Sequence, residues 1–365
     1  MTVREACIVA GGAGTRLRPL TATTPKPLLP FCGVPFLAGV IERLAAVGVE
    51  RVLLVVGADP TPFEVLRPGA ERLGIAIETV PEPGPLDTAG GVRSALDRVS
   101  GTFLVLNGDI LTDVPLREAI AAHAAAEADA TIVLTRVDDT SSFGVCVRDG
   151  SRITAFVEKP APGTLPGQDA VNAGTYVLEP AALERFPEGR LSFERQVFPG
   201  LVEAGGHVEG HVSDAVWADL GTPDRYLAGH RLALDGRLAW PPLDAITDRG
   251  DGVRVAPGAD VASGATLIGP VLVRPGAHVA AGATVGPYVV LSDRSVVSAE
   301  AVVRDSVLGT DVVLGDGVVA HGLLAGPGAR VASGTVLGRD VVLGDGVAVE
   351  PGDAVPDGAR IPGVT

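Results

Sequence analysis

The chain is short of cations, cysteine and aromatic side chains, and it has no long apolar run. Lys and Arg number 29 against 44 Asp and Glu, a formal charge of -15 at pH 7. So acidic a chain repels polyanions, which argues against nucleic acid or an anionic membrane as partner. No stretch approaches the ~20 apolar residues of a membrane span. Arg4 and Glu5 precede only a short apolar strand, so no secretory signal is readable and a cytoplasmic location is expected. Cys7, Cys32 and Cys146 are far apart in apolar surroundings and lack metal-ligand spacing, which favours buried free thiols over a metal site or a catalytic cysteine. At 365 residues the chain exceeds the usual single-domain size, and two domains are expected.

What is present begins with an apolar strand, Cys7-Ile8-Val9-Ala10, that empties into Gly11-Gly12-Ala13-Gly14-Thr15-Arg16-Leu17-Arg18-Pro19-Leu20-Thr21 and then Thr24-Pro25-Lys26-Pro27. Three glycines without Cβ let the backbone bring its N–H groups against phosphate oxygens, while Arg16, Arg18 and Lys26 supply cations nearby. No Gly-Lys-Ser/Thr closes the loop, so it is not a Walker loop. The third glycine of a dinucleotide fingerprint would fall on Leu17, which excludes that motif as well.

The loop with its Thr-Pro-Lys-Pro continuation resembles the signature of sugar-1-phosphate nucleotidylyltransferases. Further matches follow in family order: Leu106-Asn107-Gly108-Asp109, Phe156-Val157-Glu158-Lys159-Pro160, Asn172-Ala173-Gly174, Phe193-Glu194-Arg195-Gln196-Val197-Phe198-Pro199 and Trp217-Ala218-Asp219-Leu220-Gly221-Thr222-Pro223. The series covers roughly the first two thirds of the chain, and six motifs in order do not arise by accident.

The resemblance implies a reaction in which a sugar-1-phosphate oxygen attacks the α-phosphorus of a nucleoside triphosphate and pyrophosphate leaves. Positioning and cations suffice for such chemistry, with no covalent intermediate. Gly11, Gly12, Gly14, Thr15 and Gly108 would contact the nucleotide. Arg16, planar and bidentate, would meet the departing phosphates, and Lys26, a point charge between two prolines, would bind at the α-phosphate. Asp109 and Asp219 match the family's magnesium ligands; Mg2+ takes one or two carboxylates and completes its octahedron with phosphate oxygens and water. On the sugar side the resemblance implies Glu158 for hydroxyls, Lys159 for the phosphate, and Asn172 with Gly174 at the ring. Tyr176 and Trp217 read as packing residues.

Base choice is expected to rest on the segment Glu82-Pro83-Gly84-Pro85-Leu86-Asp87 before Thr88-Ala89-Gly90. A carboxylate at Glu82 can accept from both N1–H and N2–H₂ of guanine, whereas uracil and thymine offer one N–H between two carbonyls. GTP is therefore favoured, with Pro85 and Asp87 also at the nucleotide. The segment ending Thr-Ala-Gly and the repeats described below resemble mannose-1-phosphate guanylyltransferases. Asp87 stands where many relatives carry Gly; a helix N-cap would also explain it. The alternatives are UTP or dTTP with glucose 1-phosphate, a silent regulatory subunit, and an acyltransferase. The silent subunit is disfavoured because Arg16, Lys26, Asp109, Lys159 and Asp219 are all present.

Strands are expected at Ala6–Ala10, Arg51–Val56, Ile75–Val80 and Thr102–Leu106, alternating with helices at Pro35–Val47, Thr61–Leu73 and Thr88–Val99. Such βαβ alternation predicts a Rossmann-like, mostly parallel sheet in an α/β domain; with the later strands the sheet is mixed. Its ligands bind at the carboxyl ends of the strands. From Val253 the period becomes six: Val255, Val261, Leu267, Val273, Val279, Val285, Leu291, Val297 and Val303, recovering after an interruption at Val331, Leu337, Leu343, Val349 and Val355. Every sixth side chain then points into the axis of a triangular coil, which by family resemblance is a left-handed parallel β-helix. The predicted organisation is a catalytic domain over 1–235, a linker over 236–252 and the coil over 253–365. The flat outer faces of the coil are expected to be free for other subunits, making a homo-oligomer. His278 and His321 could serve acyl transfer, but nothing else in the sequence marks them.

Overall fold

The structure, a computed structural model, describes residues 1–137, 140, 144–158, 160–161, 164–165, 167 and 169–363. Contacts divide the chain into two compact units that interleave along the sequence. One comprises Met1–Gly12 and Val40–Trp217, the other Ala13–Gly39 and Ala218–Thr365.

The first unit is built on nine strands: β1 (Glu5–Val9), β2 (Arg51–Val56), β3 (Ala76–Pro81), β4 (Phe103–Asn107), β5 (Ala130–Arg136), β6 (Gly144–Asp149), β7 (Arg152–Glu158), β8 (Ala170–Leu178) and β9 (Val208–Ser213). They form one mixed sheet in the order β3-β2-β1-β4-β8-β5-β9-β7-β6. The first four pair in parallel, as their continuous apolar runs predict for strands buried on both faces. β8 then runs antiparallel to both β4 and β5. Ala6, Cys7 and Ile8 of β1, which lies between β2 and β4, are buried, and burial pushes the Cys7 thiol up to about 12, which leaves it inert at neutral pH. The parallel register sets Val9 beside Asn107, so the segments that follow, Gly11 and Gly108-Asp109, leave adjacent strands at the same sheet edge.

The second unit joins the residues after that edge to the C-terminal repeats. A 3₁₀ turn at Thr15–Leu17 and another at Lys26–Leu28 lead to Phe31 and Phe36. In a chain with few aromatics, five rings gather here: Phe31 lies within 6.5 Å of Phe36, Tyr226, His230 and Trp240. Tyr226 and His230 belong to the helix Pro223–Leu234. Trp240 is fully buried, so the Pro- and Gly-rich stretch expected as a linker contributes to a core.

His230 is enclosed in this cluster. Its Nδ1 donates to the Tyr226 carbonyl (2.9 Å) and its Nε2 accepts from the Cys32 N–H (3.2 Å). Burial pushes its pKa down from 6.5 to about 4. The unfolded chain therefore binds a proton between those values that the fold refuses, so the contribution is complete above pH 6.5 and is lost as pH falls toward 4, up to about 3 kcal/mol. Urea midpoints measured from pH 7 to pH 4.5 should fall with acid, and less steeply in His230→Gln; equal slopes would remove His230 from the account.

The repeats form a parallel β-helix of three sheets with seven, six and five strands. Its axis is filled by the predicted aliphatic positions, from Val255 to Val355. The apparent interruption is part of the same stack. Leu308, Leu314, Ala320 and Ala325 continue the axis, with two steps of five residues, 303 to 308 and 320 to 325, in place of six. Asp305 and Gly322, at the shortened corners, both take positive φ.

The coil's outer faces are not equivalent. In the seven-stranded sheet the outward positions stack in register as Arg254, Leu272, Val290, Val307, Leu324, Val342 and Arg360. The five aliphatic rungs are all buried. In the five-stranded sheet, by contrast, the outward Val319 and Val336 are exposed. The expectation of free outer faces thus fails for one face, which is covered within its own unit.

Candidate active site

In the first unit, Gly11 follows β1 and lies over Glu82. A Cβ on Gly11 would sit 2.9 Å from Glu82 Oε2, and one on Gly91 would sit 2.2 Å from Oε1. Only glycines leave room for a carboxylate here. Glu82 is 8% exposed, and its Oε1 has no hydrogen-bond partner among the described residues. Burial raises its pKa above the ordinary carboxylate value. A buried acceptor left open in this way suits a ligand that brings its own N–H donors.

Gly108 closes against β1, its N–H donating to the Val9 carbonyl at 2.8 Å, and Asp109 follows it, half-buried. Gly174 adopts φ +71°, and a Cβ there would strike Asn107 Nδ2 at 2.6 Å.

Asp87, Asn172 and Trp217 have local partners that the sequence does not reveal. Asp87 takes φ +66°, which explains why glycine suits this position. Its carboxylate accepts from the Thr88 N–H (3.0 Å) and from Arg195 Nη2 (2.5 Å), so it is bound to the Phe-Glu-Arg-Gln motif. Asn172 sits at a register shift between β8 and β5, where its Oδ1 accepts from the Gly174 N–H (2.9 Å) and its Nδ2 donates to the Tyr176 hydroxyl (2.9 Å). Trp217 donates from Nε1 to the Ala173 carbonyl (3.0 Å). Pro85 is exposed. Of the sugar-side pair, Lys159 and the Glu158 side chain lie outside the described residues.

In the second unit, Gly14 takes φ +57°, and a Cβ there would approach Lys26 Cβ to 2.9 Å, so the loop folds tightly onto the lysine. Thr21 donates from its hydroxyl to the Gly14 carbonyl (2.9 Å), closing the loop. Thr15 and Arg16 are exposed, as is Gly12 at the end of the first unit's opening segment, whereas Lys26 is buried. The lysine Nζ lies 3.5 Å from Asp219 Oδ1, and Arg16 Nη2 lies 3.9 Å from Asp219 Oδ2. Arg225 Nη1 donates to that same Oδ2 at 2.9 Å. Three cations therefore surround one carboxylate. Arg225 was not foreseen. Its signal was faint: an arginine in the first turn of the helix that follows Gly221-Thr222-Pro223.

Among the described residues no group of three or more His, Cys, Asp or Glu could hold a metal. Asp109 and Asp219, the two carboxylates expected at a metal ion, fit an ion that completes its shell with phosphate oxygens and water. In the coil, His278 pairs with Asp260 Oδ2 (2.9 Å), and His321 lines a cavity of about 630 Å³ with Arg231, Tyr288, Arg304 and Asp305.

One unit offers a mixed α/β sheet whose first strand runs into glycines, and the other a buried lysine and two arginines set round an aspartate; each is a feature of a phosphate-handling enzyme of the nucleotidyltransferase class. The chain belongs to the nucleotidyl transferase family: its sequence model matches residues 5–236, and that of the GMPPB C-terminal domain matches residues 267–359. A mannose-1-phosphate guanylyltransferase of Mycobacterium tuberculosis is 39% identical over 273 residues, 74% of each chain. A probable mannose-1-phosphate guanylyltransferase 2 of Arabidopsis thaliana is 35% identical over 305 residues, covering 81% of this chain and 78% of that one. Among solved structures, HddC of Yersinia pseudotuberculosis complexed with GMP-PN shares 28% identity at a TM-score of 0.52, spanning 62% of this chain and 98% of its own. No helix among the described residues is long and apolar enough to cross a membrane.

Proposed function

We propose that this enzyme transfers GMP from GTP to mannose 1-phosphate, forming GDP-mannose and pyrophosphate, in the cytoplasm and as a homo-oligomer. The observation that carries the reading is the buried Glu82 carboxylate with an open acceptor beneath the glycine loop. It is the acceptor that guanine's N1–H and N2–H₂ require. The named activity of the similar proteins supports the same choice.

In the reaction a phosphate oxygen of mannose 1-phosphate attacks the α-phosphorus, the bond to the α,β-bridging oxygen breaks, and pyrophosphate leaves with that electron pair. Lys26 holds the α-phosphate, and Arg16 takes the charge that grows on the departing phosphates. Arg225 holds the Asp219 carboxylate in place. Magnesium, when bound, neutralises phosphate charge, with Asp109 and Asp219 as its carboxylate ligands. Glu158, Lys159, Asn172 and Gly174 remain the proposed sugar-phosphate residues, and Gly11, Gly12, Gly14, Thr15, Pro85, Asp87 and Gly108 the further nucleotide contacts.

Pyrophosphate release measured over a grid of GTP, UTP, dTTP and ATP with mannose, glucose and galactose 1-phosphates tests the reading. GTP with mannose 1-phosphate should give the highest kcat/KM. A preference for UTP or dTTP would overturn the guanylyl assignment, and release with none of the pairs would overturn the reaction.

A further inference from the structure

The phosphate loop and the β-helix belong to one compact unit, and the contacts between them are specific. Leu20, Leu29 and Tyr226 face Val307 and Leu324 of the buried outer ladder across a narrow residual space. Thr23 donates from its hydroxyl to the Asp345 carboxylate. At the last rung, Arg360 Nη1 donates to two carbonyls of the loop, that of Arg16 at 2.9 Å and that of Arg18 at 3.2 Å. Those carbonyls flank Leu17, which is buried, so the backbone from Arg16 to Arg18 is held by its apolar side chain and by a guanidinium.

Arg16 itself needs such support. Its side chain is 65% exposed, and its ion pair with Asp219, the one it makes among the described residues, is long at 3.9 Å. A long cation that must meet phosphates in one geometry gains its precision from the backbone that carries it. The ladder position underlines the choice of residue: five aliphatic rungs precede an arginine where the loop lies overhead.

We propose that Arg360 is a positioning residue for nucleotidyl transfer: by clamping the Arg16 and Arg18 carbonyls, it fixes the phosphate loop on the last turn of the β-helix. This rests on the reaction proposed above. The Arg360 side chain is exposed, and an exposed guanidinium adds little to global stability, so its removal should leave the fold intact and disturb the loop alone.

The test uses the full chain and the variants Arg360→Met, Arg360→Lys and Thr23→Val. Methionine keeps the apolar stem and removes the donor; lysine can reach one carbonyl; valine cuts the tie to Asp345 from the loop side. In Arg360→Met, kcat should fall about tenfold to a hundredfold with the KM for mannose 1-phosphate and the unfolding midpoint unchanged. Arg360→Lys should recover part of the loss. Hydrogen exchange read without substrate should show faster exchange of the 15–21 amides in Arg360→Met and Thr23→Val, with the rest of the chain unaltered. Unchanged kcat or unchanged loop exchange in Arg360→Met overturns the proposal, as does a general loss of folding in that variant. If the wild type releases pyrophosphate from no substrate pair, the reaction fails, while loop exchange still decides whether the clamp exists.

Discussion

Replacing Asp219 by asparagine should slow turnover on the order of a thousandfold. The two side chains have the same volume, so the change removes charge and one acceptor while leaving the packing alone. The carboxylate faces Lys26 through Oδ1 and Arg225 through Oδ2. An amide would turn one N–H toward a cation and weaken the pairing of the buried lysine. If Asp219 also ligates magnesium, the loss has a second signature: the magnesium concentration for half-maximal rate should rise at least about tenfold, while GTP binding without magnesium persists. Rates over a magnesium titration read both. Turnover near the wild-type value at saturating magnesium would leave Asp219 a partner for cations only. Asp109→Asn should act in the same direction.

Replacing Glu82 by glutamine should cut kcat/KM for GTP about a hundredfold, the range expected when a paired donor is left facing an amide N–H. Activity with UTP should change by no more than a few fold, because a single N–H needs one acceptor. The wild type adds a pH signature. Burial raises the Glu82 pKa, so the carboxyl protonates at a higher pH than an exposed one. Once protonated it presents a donor to guanine's donors, and the preference for GTP should weaken with acid. In Glu82→Gln that dependence should vanish. A wild-type preference for GTP that the variant keeps in full would show that the base is read elsewhere.

What could be read in advance follows the range of the interactions. The four parallel strands were legible because apolar runs, and the glycines and prolines that bound them, act on their neighbours. The coil was legible because one side-chain choice recurs every six residues. Its two five-residue steps were not, since a single missing residue shifts the register and the sequence then reads as a break. The loop was legible as a phosphate cradle, yet nothing local tells that Asp87 is held by Arg195 or that Asn172 is tied into a bulge. Those depend on partners about a hundred residues away or on a register shift between strands. Arg360 had a signal that was available. The residue before each axial position in one sheet is Arg254 at the first rung, aliphatic through the next five, which marks a covered face, and Arg360 at the last.

The clamp on the phosphate loop also orders events in time. Arg360 follows Arg16 by 344 residues, so at a synthesis rate of ~5–20 residues per second the loop waits roughly 20 to 70 seconds for its last support. During that interval the nine-stranded sheet can close, because all its strands precede residue 214. A ribosome-bound chain halted between the sheet and the final turn of the coil would therefore hold a folded nucleotide platform whose phosphate loop has yet to be set. Full activity would begin when the far end of the chain arrives, and a message cut just short of Arg360 would yield a folded protein that turns over slowly.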